Sequence, residues 1–212
     1  SMTFDNAAPT LSAVAISSDN AAATWAKAGD TVTLAITSSE ELTADPSCAF
    51  AVGGVAVAGA VAVAGSVTSW TCAVELTSDD TAGAVSFTID GTDLAGNALE
   101  QVVAATDGSS MVFDDVVPTL TAVSIASDNA ASSLAKVDDT VTVTITASET
   151  IASPTCVFAG VADDSVTVAG SGADWTCAVD VASGDTAGAV SFTIDAADPA
   201  GNALVQVVGV AD

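Results

Sequence analysis

The chain has no histidine, no arginine and no tyrosine, and its only cations are Lys27 and Lys136. Without clustered Lys and Arg it cannot neutralise phosphates or anionic headgroups, so nucleic acid and direct membrane-surface binding are excluded as functions. Without imidazole or guanidinium it lacks the usual general base, the anion clamp and the His-based metal triad. Aromatics make up 4% of residues, too few to line a sugar cleft. Long apolar runs are also missing. The nearest, "FAVGGVAVAGAVAVAG" from Phe50, is Gly, Ala and Val, and its counterpart carries Asp163 and Asp164, which reads as a β-hairpin and not a membrane span. No charged-then-apolar leader opens the sequence, and no Asn-x-Ser/Thr acceptor for N-glycosylation occurs.

Acid is what the chain has in excess: 27 Asp and Glu, for a formal charge of −25. Such self-repulsion calls for bound cations or high ionic strength. Disorder does not follow, because half the residues are hydrophobic and Val, Ile and Phe alternate strongly with polar neighbours.

The same text is also written twice. "FDNAAPTL" at Phe4 returns as "FDDVVPTL" at Phe113, "WTCAV" at Trp70 returns at Trp175, and "DTAGAVSFTID" at Asp80 returns at Asp185. The repeat distance is 109 residues from Pro9 to Pro118, 108 from Cys48 to Cys156 and 105 from Trp70 to Trp175, so length changes fall in loops. Two domains are expected, 1–113 and 114–212. "MVFD" (Met111–Asp114) is expected to close the first, and "SMTFD" at the start has the form of the same piece from a preceding repeat, as in an excerpt from a longer array.

Within the first repeat, alternation predicts strands at Leu11–Ser17, Asp30–Ser38, Cys48–Val52, a short one in the Gly-rich stretch that follows, Trp70–Leu76, Gly83–Asp90 and Leu99–Ala105. Turn residues separate them, and no segment has a useful helical period. About seven strands in 105 residues is the arithmetic of an immunoglobulin-like sandwich. The fold class expected is therefore all-β, two tandem immunoglobulin-like β-sandwich domains. Four cysteines fall two per repeat, which argues for one disulfide in each, Cys48–Cys72 and Cys156–Cys177, and for an oxidising, extracellular or cell-surface location. Buried free thiols are the plain alternative. A zinc site is disfavoured because no CxxC pair exists.

The ordered set "FDxxxPTL", "GDTVTLxITxSE" and "DTxGxVxFTIDxxDxAGN" resembles the bacterial Ig-like, extender-type repeats of large secreted adhesins and surface proteins, over essentially the whole chain. A disulfide between the third strand and the Trp70 strand departs from those usually cysteine-free repeats. The resemblance implies a spacer whose partners are neighbouring repeats of the same chain, and it implies junctions stiffened by Ca²⁺.

An alternating up-and-down course of the strands gathers acids at one pole: Asp5, Glu40, Glu41, Asp90, Asp93 and Asn97 in the first repeat. In the second the same pole takes Asp114, Asp115, Glu149, Asp195, Asp198 and Asn202. The opposite pole of the first repeat offers Asp19, Asn20, Asp79 and Asp80, expected to face the acidic pole of the second. Carboxylates and amide oxygens converging without basic partners form the kind of oxygen cage that Ca²⁺ takes with six to eight ligands. Against this, Asp and Asn are ordinary turn residues. In "DxAGN", a cap in which Asp93 and Asn97 close a turn and Gly96 takes a positive φ outranks ligation.

Trp70 and Trp175 share a face with the cysteines of their strand and are assigned to the core ahead of a sugar-stacking role. Trp25 becomes Leu134 in the second repeat, which indicates packing. Lys27 and Lys136 sit in turn-like contexts, where solubility outranks a Lys–Asn isopeptide bond to Asn97 or Asn202. The reading that results is a non-catalytic extender of an extracellular adhesin or surface filament. A glycan- or protein-binding module acting through one loop pole ranks second, and a carboxylate-pair glycosidase built on Glu40 and Asp93 ranks last. The first and last strands, as sheet edges, are where like chains would pack in a filament.

Overall fold

The computed structural model describes residues 2, 4–161 and 166–210; Asp163 and Asp164 lie outside the described residues. It contains two compact units, Ser1–Asp115 and Val116–Asp212. The described residues form strands and turns, with no helix.

The first unit consists of β1 (Leu11–Ser18), β2 (Trp25–Ala26), β3 (Thr31–Ser38), β4 (Ser47–Val52), β5 (Val55–Ala56), β6 (Ala62–Ser66), β7 (Ser69–Glu75), β8 (Gly83–Asp90) and β9 (Val112–Phe113). They pair as two sheets, ordered β1-β3-β7-β6 and β2-β9-β8-β4-β5. Period-2 alternation explains the core between them. On β3, Val32, Leu34 and Ile36 point inward while the threonines face out. Across the ladder they meet Val74, Cys72 and Trp70 of β7, all buried. The opposite sheet contributes Phe50, Val52, Phe87, Ile89 and Phe113. Each such side chain removed from water is worth roughly 1.5–3 kcal/mol. The Cys48–Cys72 disulfide then ties β4 of one sheet to β7 of the other, with Cα atoms 6.3 Å apart.

The second unit consists of β10 (Leu120–Ser127), β11 (Thr140–Ala147), β12 (Thr155–Ala159), β13 (Thr167–Ser171), β14 (Asp174–Asp180), β15 (Ser191–Asp195) and β16 (Val207–Val210). The sheets are β10-β11-β14-β13 and β12-β15-β16. Cys156–Cys177 repeats the clamp, again with 6.3 Å between Cα atoms.

Three details differ from the strand pattern expected of the sequence. The Gly-rich stretch after β4 is two strands and not one. β5 turns back on β4 through Gly53 and Gly54, and β6 then crosses to the edge of the other sheet beside β7. The segment Leu99–Ala105 makes only one bridge to β8, at Val102–Ile89, before Thr106 hydrogen-bonds with Val14 of β1. The closing strand of that sheet is instead β9, from the "MVFD" segment, which pairs antiparallel with β8 and parallel with β2. A two-residue ladder carries too little alternation to be visible in sequence.

Both tryptophans of the Trp-Thr-Cys strands lie toward the core, as alternation implies. Trp70 is buried, and its indole Nε1 has no hydrogen-bond partner. Trp175 donates from Nε1 to the Gly172 carbonyl at 3.0 Å. The position equivalent to Gly172, which has φ +63°, is Val67 with φ +60°. A β-branched residue in the left-handed region is strained.

Candidate metal site

Three loops of the first unit converge because β-ladders end together there. Leu42 bridges Asp93, Thr92 bridges Ala98, and the Thr43 N–H donates to the Thr92 carbonyl at 2.8 Å. Ser39 N–H reaches the Thr10 carbonyl at 2.8 Å and fixes the start of β1 beside the end of β3. As a result Asp5, Glu40 and Asp93 each place a carboxylate oxygen within 4.8 Å of the other two. Asp5 is exposed, Glu40 half-buried and Asp93 buried.

Asp93 organises its own turn. Its Oδ1 accepts the Ala95 and Asn97 N–H groups at 2.8 Å each, and its Oδ2 accepts the Asn97 side-chain amide at 2.7 Å. Gly96 follows at φ +91°, the left-handed conformation that the turn requires. Burial pushes the Asp93 carboxyl upward in pKa. The hydrogen bonds from the Asn97 side chain and from the Asn97, Ala95 and Gly96 backbone outweigh it and hold the group below its ordinary value. Asp93 is therefore a carboxylate at neutral pH. A group so held cannot serve as the general acid that a Glu40–Asp93 glycosidase pair would need.

None of the other first-repeat acids belongs to this three-carboxylate cluster. Asp90 accepts both contacts of the Gln101 amide, at 3.1 and 3.0 Å. Asn97 donates to Asp93 and, at 3.5 Å, to the Asp5 carbonyl. Glu41 is exposed. Asp80 caps its own turn by accepting the Thr77 N–H at 2.8 Å, and Asp79 beside it is exposed. Asp19 accepts the Thr31 N–H at 2.7 Å.

In the second repeat, Asp114, Glu149 and Asp198 are the sequence counterparts of Asp5, Glu40 and Asp93. Asp198 repeats the Asp93 turn, accepting the Asn202 N–H and side-chain amide at 2.8 Å each, with both residues buried. Asp195 takes the Gln206 amide at 2.9 and 2.7 Å. Asp115 is pinned within the first unit, where its Oδ1 accepts the Ala28 N–H at 3.1 Å.

A second acidic centre was not anticipated. Asp139, buried before β11, accepts the Asn129 amide at 2.7 Å, the Lys136 N–H at 2.9 Å and the Lys136 Nζ at 2.8 Å. The Lys136 side-chain contact first, then the Asn129 amide, hold its carboxyl down to about 2, and the same contact raises Lys136. Asn20 and Asp30 repeat the arrangement, with 2.6 Å between Nδ2 and Oδ2. The identical Asn-x9-Asp spacing in both repeats was the available signal. Lys136 is thus a partner of the turn's central carboxylate as well as a soluble surface group. Amide crosslinking to an Asn would need a neutral amine and a protonated acid, the reverse of these states.

No protein-family model matches the chain, and comparison with curated proteins finds no match. Among solved structures, a three-domain I-band fragment of titin is similar with a TM-score of 0.54 at 13% identity, covering 97% of this chain and 65% of that one. A Glu-to-Ala variant of that fragment gives 0.50 at 12%, with the same coverage. The fold is immunoglobulin-like, in tandem. The chain spans just under two-thirds of the length of those titin fragments. Their identity is too low to carry anything beyond fold. The resemblance to adhesin repeats finds no counterpart among these neighbours. Among the described residues no helix is long and apolar enough to cross a membrane.

Proposed function

We propose that the chain is a non-catalytic extender, a stiff spacer in an extracellular adhesin or surface filament, with Ca²⁺ held at the acidic pole where repeats follow one another. The observation that carries this reading is the convergence of Asp5, Glu40 and Asp93, each with a carboxylate oxygen within 4.8 Å of the other two. Three carboxylates so close repel one another, and a divalent cation relieves that repulsion while adding water and carbonyl oxygens to its shell. The repetition of a disulfide-clamped immunoglobulin-like unit supports a mechanical role, and the disulfides support an oxidising, extracellular location.

The test is thermal melting in millimolar Ca²⁺, in EGTA and in NaCl of matched ionic strength. A ligand at a hundred times its Kd adds about 2.7 kcal/mol, which is a rise on the order of 10 °C for a unit of this size. The rise is expected in Ca²⁺ only, and it is expected to vanish in Asp5→Asn/Glu40→Gln. Equal curves in Ca²⁺ and NaCl would reduce the acids to a saline-adapted surface.

A further inference from the structure

The sheet β1-β3-β7-β6 of the first unit has two edges, and they differ. The β1 edge is closed. Val14 N–H donates to Thr106 Oγ1 at 2.9 Å, Thr106 N–H donates to the Val14 carbonyl at 2.8 Å, and Ile16 N–H donates to Ser109 Oγ at 2.9 Å. The first strand, expected from sequence to be a packing edge, therefore commits these groups to its own unit.

The β6 edge is open. Among the described residues β6 pairs with β7 alone, in the register Ala62–Ala73, Val63–Cys72 and Ala64–Thr71. The Ala64 carbonyl faces β7, where it accepts the Thr71 hydroxyl at 3.3 Å. Antiparallel alternation then turns the N–H and C=O of Val63 to the unpaired side. The Val63 side chain is half-buried toward the core, while Ala62 and Ala64 are exposed.

Open edges are ordinarily guarded by charge or proline. The second repeat has such a guard in its sequence: Asp163 and Asp164 come just before β13, the counterpart of β6, and Asp174 opens β14 after it. The first repeat has Ala58, Gly59 and Ser69 at those places. No charged residue occurs between Asp45 and Glu75, the longest such interval in a chain of charge −25.

We infer that β6 pairs antiparallel with β6 of a second copy, joining two chains side by side through their first units. Charge selects the occupant. A basic partner would be drawn to the acidic poles, whereas a copy carrying the same −25 is repelled from them and approaches where charge is missing. A two-fold axis at Val63 lets its N–H donate to the Val63 carbonyl of the second copy and its carbonyl accept the reverse bond. The same axis sets Ala62 opposite Ala64 of the second copy, so no bulky side chain separates the strands. Two four-stranded sheets become one continuous sheet. Because both chains use the same patch, the contact closes on itself and stops at a dimer. This inference does not depend on the calcium reading.

The test is sedimentation velocity of the chain over a wide concentration range, in EGTA and enough NaCl to screen the −25 charge. A monomer–dimer equilibrium with nothing longer is expected. Ala62→Asp/Ala64→Asp sets carboxylates opposite carboxylates across the axis and is expected to weaken the dimer at least about a hundredfold. Its monomer is expected to melt as wild type does, since both side chains are exposed. Ala62→Lys/Ala64→Lys is expected to weaken the dimer likewise. An equimolar mixture of the two variants is expected to regain a dimer containing one chain of each, because every acid then faces a lysine. A wild-type chain that stays monomeric overturns the inference and leaves the edge to a strand of different origin. Dimers that persist in the aspartate variant, or a mixture that regains none, also overturn it.

Discussion

Replacing Cys48 and Cys72 together with alanine tests what the inter-sheet clamp contributes. The bond closes a loop with a sequence separation of 24, and its counterpart Cys156–Cys177 one of 21. In the chain-entropy account, opening such a loop returns conformations to the denatured state worth about 3.5 kcal/mol for the first and about 3.3 for the second at 25 °C. Alanine is the substitute of choice, because Cys72 is completely buried and a serine hydroxyl there would be desolvated without an assured partner. For a unit of roughly a hundred residues, each kilocalorie moves the midpoint by about 4–8 °C, so the variant is expected to melt about 14–28 °C lower. Differential scanning calorimetry of Cys48→Ala/Cys72→Ala and of Cys156→Ala/Cys177→Ala measures the shift, with the protein in EGTA so that cation binding does not intrude. The two variants are expected to lose nearly equal stability, since loop length enters only as a logarithm. A shift below about 3 °C would refute the reasoning. It would mean that the denatured chain keeps these strands close without the bond.

Other outcomes follow from single residues. Val67→Gly, which copies Gly172 of the second repeat, is expected to raise stability by about 1 kcal/mol by relieving the left-handed backbone, measured by urea unfolding; a loss of stability would refute the strain. Phe113→Ala is expected to cost roughly 3–5 kcal/mol, while Phe4→Ala at the matching place in the sequence leaves the urea midpoint of the monomer unchanged. Asp139 has a folded pKa of about 2, below its ordinary 3.8, so the stability it adds is present above about pH 4 and is lost as pH falls toward 2. The urea midpoints of wild type and Asp139→Asn are therefore expected to converge over that range, and a constant gap would exclude an ionic role.

The residues of the acidic cluster were only partly legible in the chain. Asp93 and Asn97 could be assigned to a turn cap because "DxAGN" carries its own short-range chemistry, and the hydrogen bonds around Asp93 are those of that cap. Which acids meet could not be read from composition. Asp5, Glu40 and Asp93 converge, while Asp90, equally acidic and three residues before Asp93, is drawn away by Gln101. The Asn129–Lys136–Asp139 network went unnoticed, although its spacing is repeated, because each residue alone is an ordinary turn former.

Sequence by itself determined the two-fold repeat, the all-β class, the inward faces of β3, β7 and their counterparts, and the cysteine pairing. All of these rest on local periodicity or on repetition, which a chain carries in its own order of residues. Tertiary structure alone decided that the Gly-rich stretch divides between two sheets, and that "MVFD" and not Leu99–Ala105 completes the edge of β8. Those choices are settled by which distant backbone groups come within hydrogen-bonding reach. A strand of two residues has no pattern of its own to announce them.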